Sequence, residues 1–307
     1  MKSILLEKLQ KHGPLVLDGA MATELEKMGV KTANDLWSAA ALLQAPAKIT
    51  QVHCSYFEAG ADIATANTYQ ANWQAFEKRN FSSQQYAFLI DQAVNCAKQA
   101  RKMVARPTLI AGSIGPYGAF LADGSEYTGD YWLSEQQYQK FHYPRLKALA
   151  ESGIDLLAIE TQPNFAEVRA IIKLLAAKFP ALTAWVSFSI ADPKHLCDGT
   201  LLATAIDWLN DQNQVVAIGV NCIDLALITP TLKALKARTN KPLIVYPNNG
   251  DYYDLQQQKW IIQNRSAKFA ELVPIWLENG AQIIGGCCRT TPADIQKIKT
   301  AIENYCH

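Results

Sequence analysis

Eight short apolar runs, each giving way to polar or small residues, constrain this chain more than any other feature. The first four are Leu15 to Leu17 before Asp18-Gly19-Ala20, Ile63 to Ala66 before Asn67-Thr68-Tyr69, Leu109 to Ala111 before Gly112-Ser113-Ile114-Gly115, and Leu156 to Ile159 before Glu160. Ala184 to Phe188 then ends among serines, Val216 to Val220 ends in Asn221-Cys222, Leu243 to Tyr246 ends in Pro247-Asn248-Asn249-Gly250, and Ile283-Ile284 ends in Gly285-Gly286-Cys287-Cys288. The runs recur at intervals of about 25 to 50 residues, as repeated strand–helix units do. Helical patterns fill the gaps: Ile49, Val52, Tyr56 and Ala59 before Gly60, Leu146 and Leu149 before Gly153, Leu232 and Leu235 after Pro230, and Leu272, Ile275 and Trp276 before Gly280.

Eight parallel strands alternating with helices predict a (β/α)₈ TIM barrel, with the polar clusters gathered on the C-terminal rim where such barrels carry chemistry. An open doubly wound sheet is the alternative. It would need a glycine-rich fingerprint after the first strand, which Asp18-Gly19-Ala20-Met21-Ala22-Thr23 does not supply. Neither linker nor low-complexity tract interrupts the order, so residues 1–307 are expected to form a single domain.

Composition narrows the partners. Twenty-nine basic residues against 28 acidic ones give a formal net charge of +1, without the basic field that non-specific nucleic-acid binding requires. Lys2, Glu7, Lys8 and Lys11 interrupt any secretory apolar core, and no segment reaches the roughly 18 apolar residues of a membrane span. The expectation is a cytoplasmic protein with small-molecule partners and reduced thiols. Of seven cysteines, Cys54, Cys96, Cys197 and Cys306 stand alone and read as ordinary small hydrophobes or surface thiols.

The other three fall at strand ends. Cys222 follows the sixth run and Cys287-Cys288 the eighth, 65 residues on from Cys222 to Cys287, and a closed barrel brings those ends to one rim. Three thiolates suit zinc, and three protein ligands leave a fourth position for water or substrate. Locally, Gly285 and Gly286 would let the backbone turn tightly, and Thr291-Pro292 with Asp294 reads as an N-cap, first helical proline and capping box. That helix start would push both thiols toward thiolate, and bound zinc would outweigh it. The competing readings are a core cysteine beside a tight turn, or a vicinal disulfide. A storage or structural zinc site would close with a fourth ligand, for which Cys197 is the one reasonable residue.

Gly219 to Cys222 (GVNC) and Gly285 to Pro292 (GGCCRTTP) together resemble the zinc signature of the homocysteine S-methyltransferase family. DGAMATELEKMG from Asp18, GSIGPYGAFLADGSEYTGDY from Gly112 and VYPNNGDYYD from Val245 are similar to its S-methylmethionine-using branch, so the resemblance covers nearly the whole chain. It implies a zinc barrel in which homocysteine sulfur takes the open metal position. The substrate thiol, with an ordinary pKa near about 8.5, would thereby become a nucleophile at neutral pH.

Homocysteine also carries an ammonium and a carboxylate. Asp18 and Glu160 are candidates for the ammonium and the Gly19-Ala20 N–H groups for the carboxylate, roles the resemblance also implies. Asp18 has the competing reading of a turn-capping residue. Asn67, Thr68, Tyr69 and Ser113 are further rim candidates for substrate contact, and Asn221 is expected to support the metal site. No Lys or Arg occurs between Arg106 and Lys140, whereas Tyr117, Phe120, Asp123, Glu126, Tyr127, Asp130, Tyr131, Trp132 and Glu135 do. Acidic and aromatic groups suit a cationic sulfonium donor, S-methylmethionine first and S-adenosylmethionine second. Selenocysteine or selenohomocysteine as acceptor is a close variant. A zinc metallohydrolase is the alternative enzyme class, although His12, His53, His142, His195 and His307 lie at none of these strand ends.

Overall fold

A computed structural model describes residues 3–31, 41–250, 252–254, 259–261 and 269–306. Lys2, Asp251 and His307 therefore lie outside the described residues, and the VYPNNGDYYD match is only partly within them.

All eight expected runs are strands: β1 (Leu15–Val16), β2 (Ile63–Ala66), β3 (Leu109–Ile114), β4 (Leu156–Gln162), β5 (Ala184–Phe188), β6 (Val215–Asn221), β7 (Leu243–Tyr246) and β8 (Ala281–Ile284). They form one parallel sheet in the order β1-β8-β7-β6-β5-β4-β3-β2, and a parallel bridge from Leu17 to Ile63 brings its two edges together. Closure into a barrel removes the unpaired edges an open sheet would leave. Helices fill the crossovers, among them Pro46–Glu58, Ser83–Met103, Glu135–Glu151, Phe165–Lys178, Leu225–Lys236 and Phe269–Glu278. Among the described residues no helix is long and apolar enough to cross a membrane.

Strand periodicity divides the core in two. Side chains alternate across a sheet, so Val16, Ala64, Ile110, Leu157, Val186, Ile218, Val245 and Ile284 pack outward against the helices. Leu15, Leu17, Ile63, Leu109, Ala111, Leu156, Ala158, Trp185, Ala217, Ile244 and Ile283 fill the barrel interior. Leu5 and Leu9 of the N-terminal helix Ile4–His12 join this inner cluster. The same parity, carried two or four residues further along each chain segment, points Ser113, Glu160, Asn221 and Cys287 into the barrel mouth. One strand pair depends on glycine for contact: a Cβ at Gly219 would lie 1.7 Å from the Ile244 carbonyl oxygen across the β6–β7 ladder.

Candidate metal centre

Cys222, Cys287 and Cys288 converge, with their Sγ atoms all within 4.8 Å of one another and the Cys222 and Cys288 sulfurs 3.6 Å apart. Thiolates bound tetrahedrally to zinc at about 2.3 Å lie about 3.8 Å from each other, close to the 3.6 Å between Cys222 and Cys288. Among the described residues no fourth Cys, His, Asp or Glu joins the cluster. Cys197 is elsewhere, its thiol directed at Ser189 Oγ (3.6 Å), so it does not close the site. Of the described histidines, His12 is exposed at the end of Ile4–His12, His53 is buried without a ring partner, His142 bonds Glu167, and His195 bonds Asp192. None is a ligand candidate.

The backbone explains how adjacent residues serve one site. Asn221 and Cys222 would face opposite sides of a regular strand, but Cys222 has φ +55°, and this left-handed turn brings its thiol back toward the mouth. Thr161 repeats the device in β4 with φ +55°. Asn221 ties the two together: its Oδ1 accepts from Thr161 N (2.8 Å) and its Nδ2 donates to Thr161 Oγ1 (2.7 Å), with Cys287 Sγ at 4.0 Å.

The glycines before the cysteine pair work differently from expectation. Neither Gly285 nor Gly286 has a positive φ. They are required for close approach, since a Cβ on Gly285 would lie 2.6 Å from Leu17 Cβ and one on Gly286 2.3 Å from Thr290 Oγ1. Gly286 N donates to Asp18 O and Cys287 N to Pro247 O, which holds the cysteine pair against β1 and β7. The capping box is present: Thr291 N and Oγ1 donate to Asp294 Oδ2, and Asp294 N donates back to Thr291 Oγ1, at the start of Pro292–Cys306. Its dipole does not set the thiols. In the metal-free cluster Cys222 is held well below the usual thiol range by hydrogen bonds from Cys287 and Cys288, with Tyr127 adding a third. Sharing protons with that thiolate raises the other two.

Beside the sulfurs is a layer of buried acids and hydroxyls. Glu160 accepts from Ser113 Oγ on one oxygen and from Tyr246 Oη (3.0 Å) on the other. The Tyr246 proton being committed to Glu160, its oxygen accepts from Trp185 Nε1 (3.0 Å) and from Ser187 Oγ. Asp18 is no turn cap: it reaches across to β2, accepting from Thr65 N (2.8 Å) and Thr65 Oγ1 (3.1 Å). Burial raises both acids, Asp18 well above its usual range and Glu160 to about 7. An acid whose pKa is raised by folding stabilises the fold while protonated. That contribution is complete below about 4.5, the unfolded value, and is lost as pH rises through about 7. Glu160→Gln, which cannot ionise, is therefore expected to flatten the decline in melting temperature of the metal-free protein between about pH 5 and 8. An unchanged decline in the variant would place the titration elsewhere.

Other expected contacts are redistributed. Thr68 is structural, with Oγ1 donating to Ser113 O (2.9 Å) and accepting from Ser113 N (3.1 Å), and so locks β2 to β3. Ala20 N donates to Thr290 O (3.2 Å), which withdraws it from a carboxylate site; Gly19 N has no such bond among the described residues. Asn67 is buried at the mouth, and Tyr69 packs its ring beneath Gly115. In the segment after β3, Tyr117 stacks with Phe120, Tyr131 and Phe141, Lys78 sits 4.9 Å over Phe120, and Glu135 pairs with Lys173. These groups face one another rather than the mouth. Tyr127 alone is seen to reach the cluster, its hydroxyl 3.5 Å from Cys222 Sγ while 44% of its surface stays exposed. Sequence reading had no reason to separate Tyr127 from its neighbours, and it missed Thr65, Ser187 and Tyr246. Strand parity would have found all three, since each lies two residues beyond an inward-facing Ile63, Trp185 or Ile244.

A closed parallel barrel with three convergent thiols at its C-terminal rim and buried carboxylates beside them defines a barrel protein with a candidate metal centre at its mouth. The chain belongs to the homocysteine S-methyltransferase family, whose model matches residues 15–302. It is 47% identical over 298 residues to the homocysteine S-methyltransferase of Escherichia coli K12, covering 95% of this chain and 96% of that one. It is 45% identical over 299 residues to the Bacillus subtilis homocysteine S-methyltransferase YbgG, covering 94% and 95%. The metallated crystal form of Escherichia coli homocysteine methyltransferase MmuM superimposes with a TM-score of 0.88 at 45% identity, over 96% of this chain and 99% of that one. A selenocysteine Se-methyltransferase from Brassica oleracea is 37% identical over 316 residues, covering 97% and 90%. Metal in so similar a barrel accords with the three-cysteine cluster here.

Proposed function

We propose that this protein, as a single catalytic domain, transfers a methyl group from S-methylmethionine to the thiol of homocysteine, giving methionine, with zinc held by Cys222, Cys287 and Cys288. The observation that carries the reading is the three-sulfur cluster with no fourth protein ligand among the described residues. Bound there, zinc would supply Lewis acidity that keeps the substrate thiol deprotonated at neutral pH. The chain's own residues do the positioning. Asp18 and Glu160 face the mouth as buried acids and hold the homocysteine ammonium, whose charge favours their ionised forms. Gly19 N–H takes the carboxylate, with Asn67, Tyr69 and Ser113 lining the same mouth. Asn221 fixes the turn that aims Cys222.

With a sulfonium donor the reaction balances simply. A bond forms between the homocysteine sulfur and the methyl carbon as the donor sulfur–methyl bond breaks, its electron pair staying on the donor sulfur. Donor and acceptor both become methionine. Alignment of the two sulfurs is the principal catalytic requirement, a positioning effect. S-adenosylmethionine, also a sulfonium, would be a second donor.

Purified zinc-loaded protein given homocysteine and S-methylmethionine is expected to form two methionines per turnover. Failure to form methionine at one metal per chain would refute the donor. Parallel assays with selenocysteine test the acceptor, a reading the Brassica relative makes worth including.

A further inference from the structure

Glu126 stands out among the acids of the barrel mouth. It lies in the short helix Ser125–Thr128, immediately before Tyr127, whose hydroxyl reaches Cys222. Its Oε2 is buried and has no hydrogen-bond partner among the described residues. Of the other acids nearby, Asp123 is engaged by Ser125, Asp18 by Thr65, Glu160 by Ser113 and Tyr246, and Glu135 by Lys173, while Asp130 is exposed to solvent. The ionisable groups that act on Glu126 are Cys222, which would be a ligand of the metal, and Asp123, and neither supplies a positive charge. A buried carboxyl oxygen without a donor is unfavourable, and folded proteins leave few of them. The next residue, Tyr127, reaches the Cys222 sulfur, so a cation held by this oxygen would lie in the aromatic segment beside the metal site.

We propose that Glu126 holds the positive charge of the methyl donor, an inference that rests on the sulfonium reading above. It separates two subsites. Asp18 and Glu160, within the barrel, serve the acceptor, and Glu126, in the segment lying over Cys222, serves the donor. The donor offers two positive groups, a sulfonium and an α-ammonium, and a carboxylate attracts either. Glu126 contacts a group already charged before reaction, so it stabilises bound donor at least as much as the transition state. Its removal therefore raises the donor KM far more than it lowers kcat.

The test is steady-state kinetics of Glu126→Gln in the zinc-loaded protein, with S-methylmethionine and with dimethylsulfoniopropionate, a sulfonium without an ammonium. The expected result is a donor KM raised at least about tenfold, a homocysteine KM within about twofold of the parent, and a melting temperature no lower than the parent's. A loss on both donors assigns the sulfonium, and a loss on S-methylmethionine alone assigns the ammonium. Glu126→Asp, which retains the charge, should recover part of the lost donor affinity. As a readout independent of turnover, S-methylmethionine alone should raise the melting temperature of the parent protein and leave that of Glu126→Gln unmoved. An unchanged donor KM, or a rise in homocysteine KM instead, would overturn the assignment. If the parent protein does not turn over S-methylmethionine, the donor proposal fails separately, and the comparison is made with S-adenosylmethionine, which carries both positive groups.

Discussion

Serine at Cys222, Cys287 or Cys288 is expected to remove bound metal and methyl transfer together. A serine hydroxyl keeps the shape of the thiol but stays protonated at neutral pH and is a hard ligand, so a site of three soft sulfurs becomes a site of two. Loss of a group that merely supports a ligand costs roughly 10–100-fold in metal affinity or activity, and loss of a ligand itself should exceed that. Elemental analysis of the purified variants should find much less than one metal per chain, and added zinc should not restore the rate. Cys222→Ser carries a second consequence, because Cys222 holds the charge shared by the metal-free cluster. Without it the remaining two thiols lose the neighbour that raises them, and their rate of reaction with a thiol reagent at neutral pH should rise. Cys197→Ser, far from the cluster, should leave metal and rate unchanged. Full metal content and activity in Cys288→Ser would refute the three-sulfur site.

The architecture was legible because barrel strands leave a redundant signal. Ile63–Ala66, Ala184–Phe188 and Leu243–Tyr246 end where the apolar runs end. β3, β4 and β6 extend further, where the barrel lets polar residues stay in register: β3 runs to Ile114, β4 continues through Glu160 to Gln162 and β6 includes Asn221. Polar residues at those positions signal a strand's functional end rather than its termination. The cysteine set was legible for a related reason, since closure alone brings the ends of β6 and β8 together. What was not legible depends on three-dimensional approach. Glycines 285 and 286 serve contact with Leu17 and Thr290, which no local pattern reveals. Thr68 could equally have faced substrate or Ser113, and only the pairing of β2 with β3 decides it. In the segment after β3 the composition was right for a cation, but most of its rings satisfy one another. A single residue-type count could not distinguish Tyr117 from Tyr127.

The second large effect is expected at Arg145, which no motif marked. It is fully buried in the helix Glu135–Glu151, and its guanidinium donates to Tyr69 O, to Thr68 O (3.3 Å) and to Gly115 O (2.7 Å). Those carbonyls belong to the segments leaving β2 and β3, so one side chain fixes the two loops that bring Asn67, Tyr69 and Tyr127 to the mouth. Behind it, Arg145 also contacts His142 Nδ1 (3.3 Å), while His142 Nε2 lies 2.6 Å from Glu167. Burial holds His142 below its usual range against the pull of Glu167, so the ring is neutral, donating through Nε2 and accepting through Nδ1. Glu167 in turn accepts from Tyr117 N and Tyr131 Oη, both at 2.6 Å, which ties the segment after β3 into the same network. Arg145→Met keeps the stem and removes every donor. It leaves the Tyr69 and Gly115 carbonyls without a donor, while Thr68 O keeps Ala71 N (3.1 Å), and it leaves Glu167 without its countercharge, a combination expected to cost about 3–5 kcal/mol of stability. Arg145→Lys should lose less, since one ammonium can reach some of these carbonyls but cannot reproduce the planar fork. Chemical denaturation gives the stability difference directly. At temperatures where the variant stays folded, KM for both substrates should rise, because both subsites hang on these loops. If the midpoint and both KM values in Arg145→Met matched the parent, the loops would be held by something other than this guanidinium.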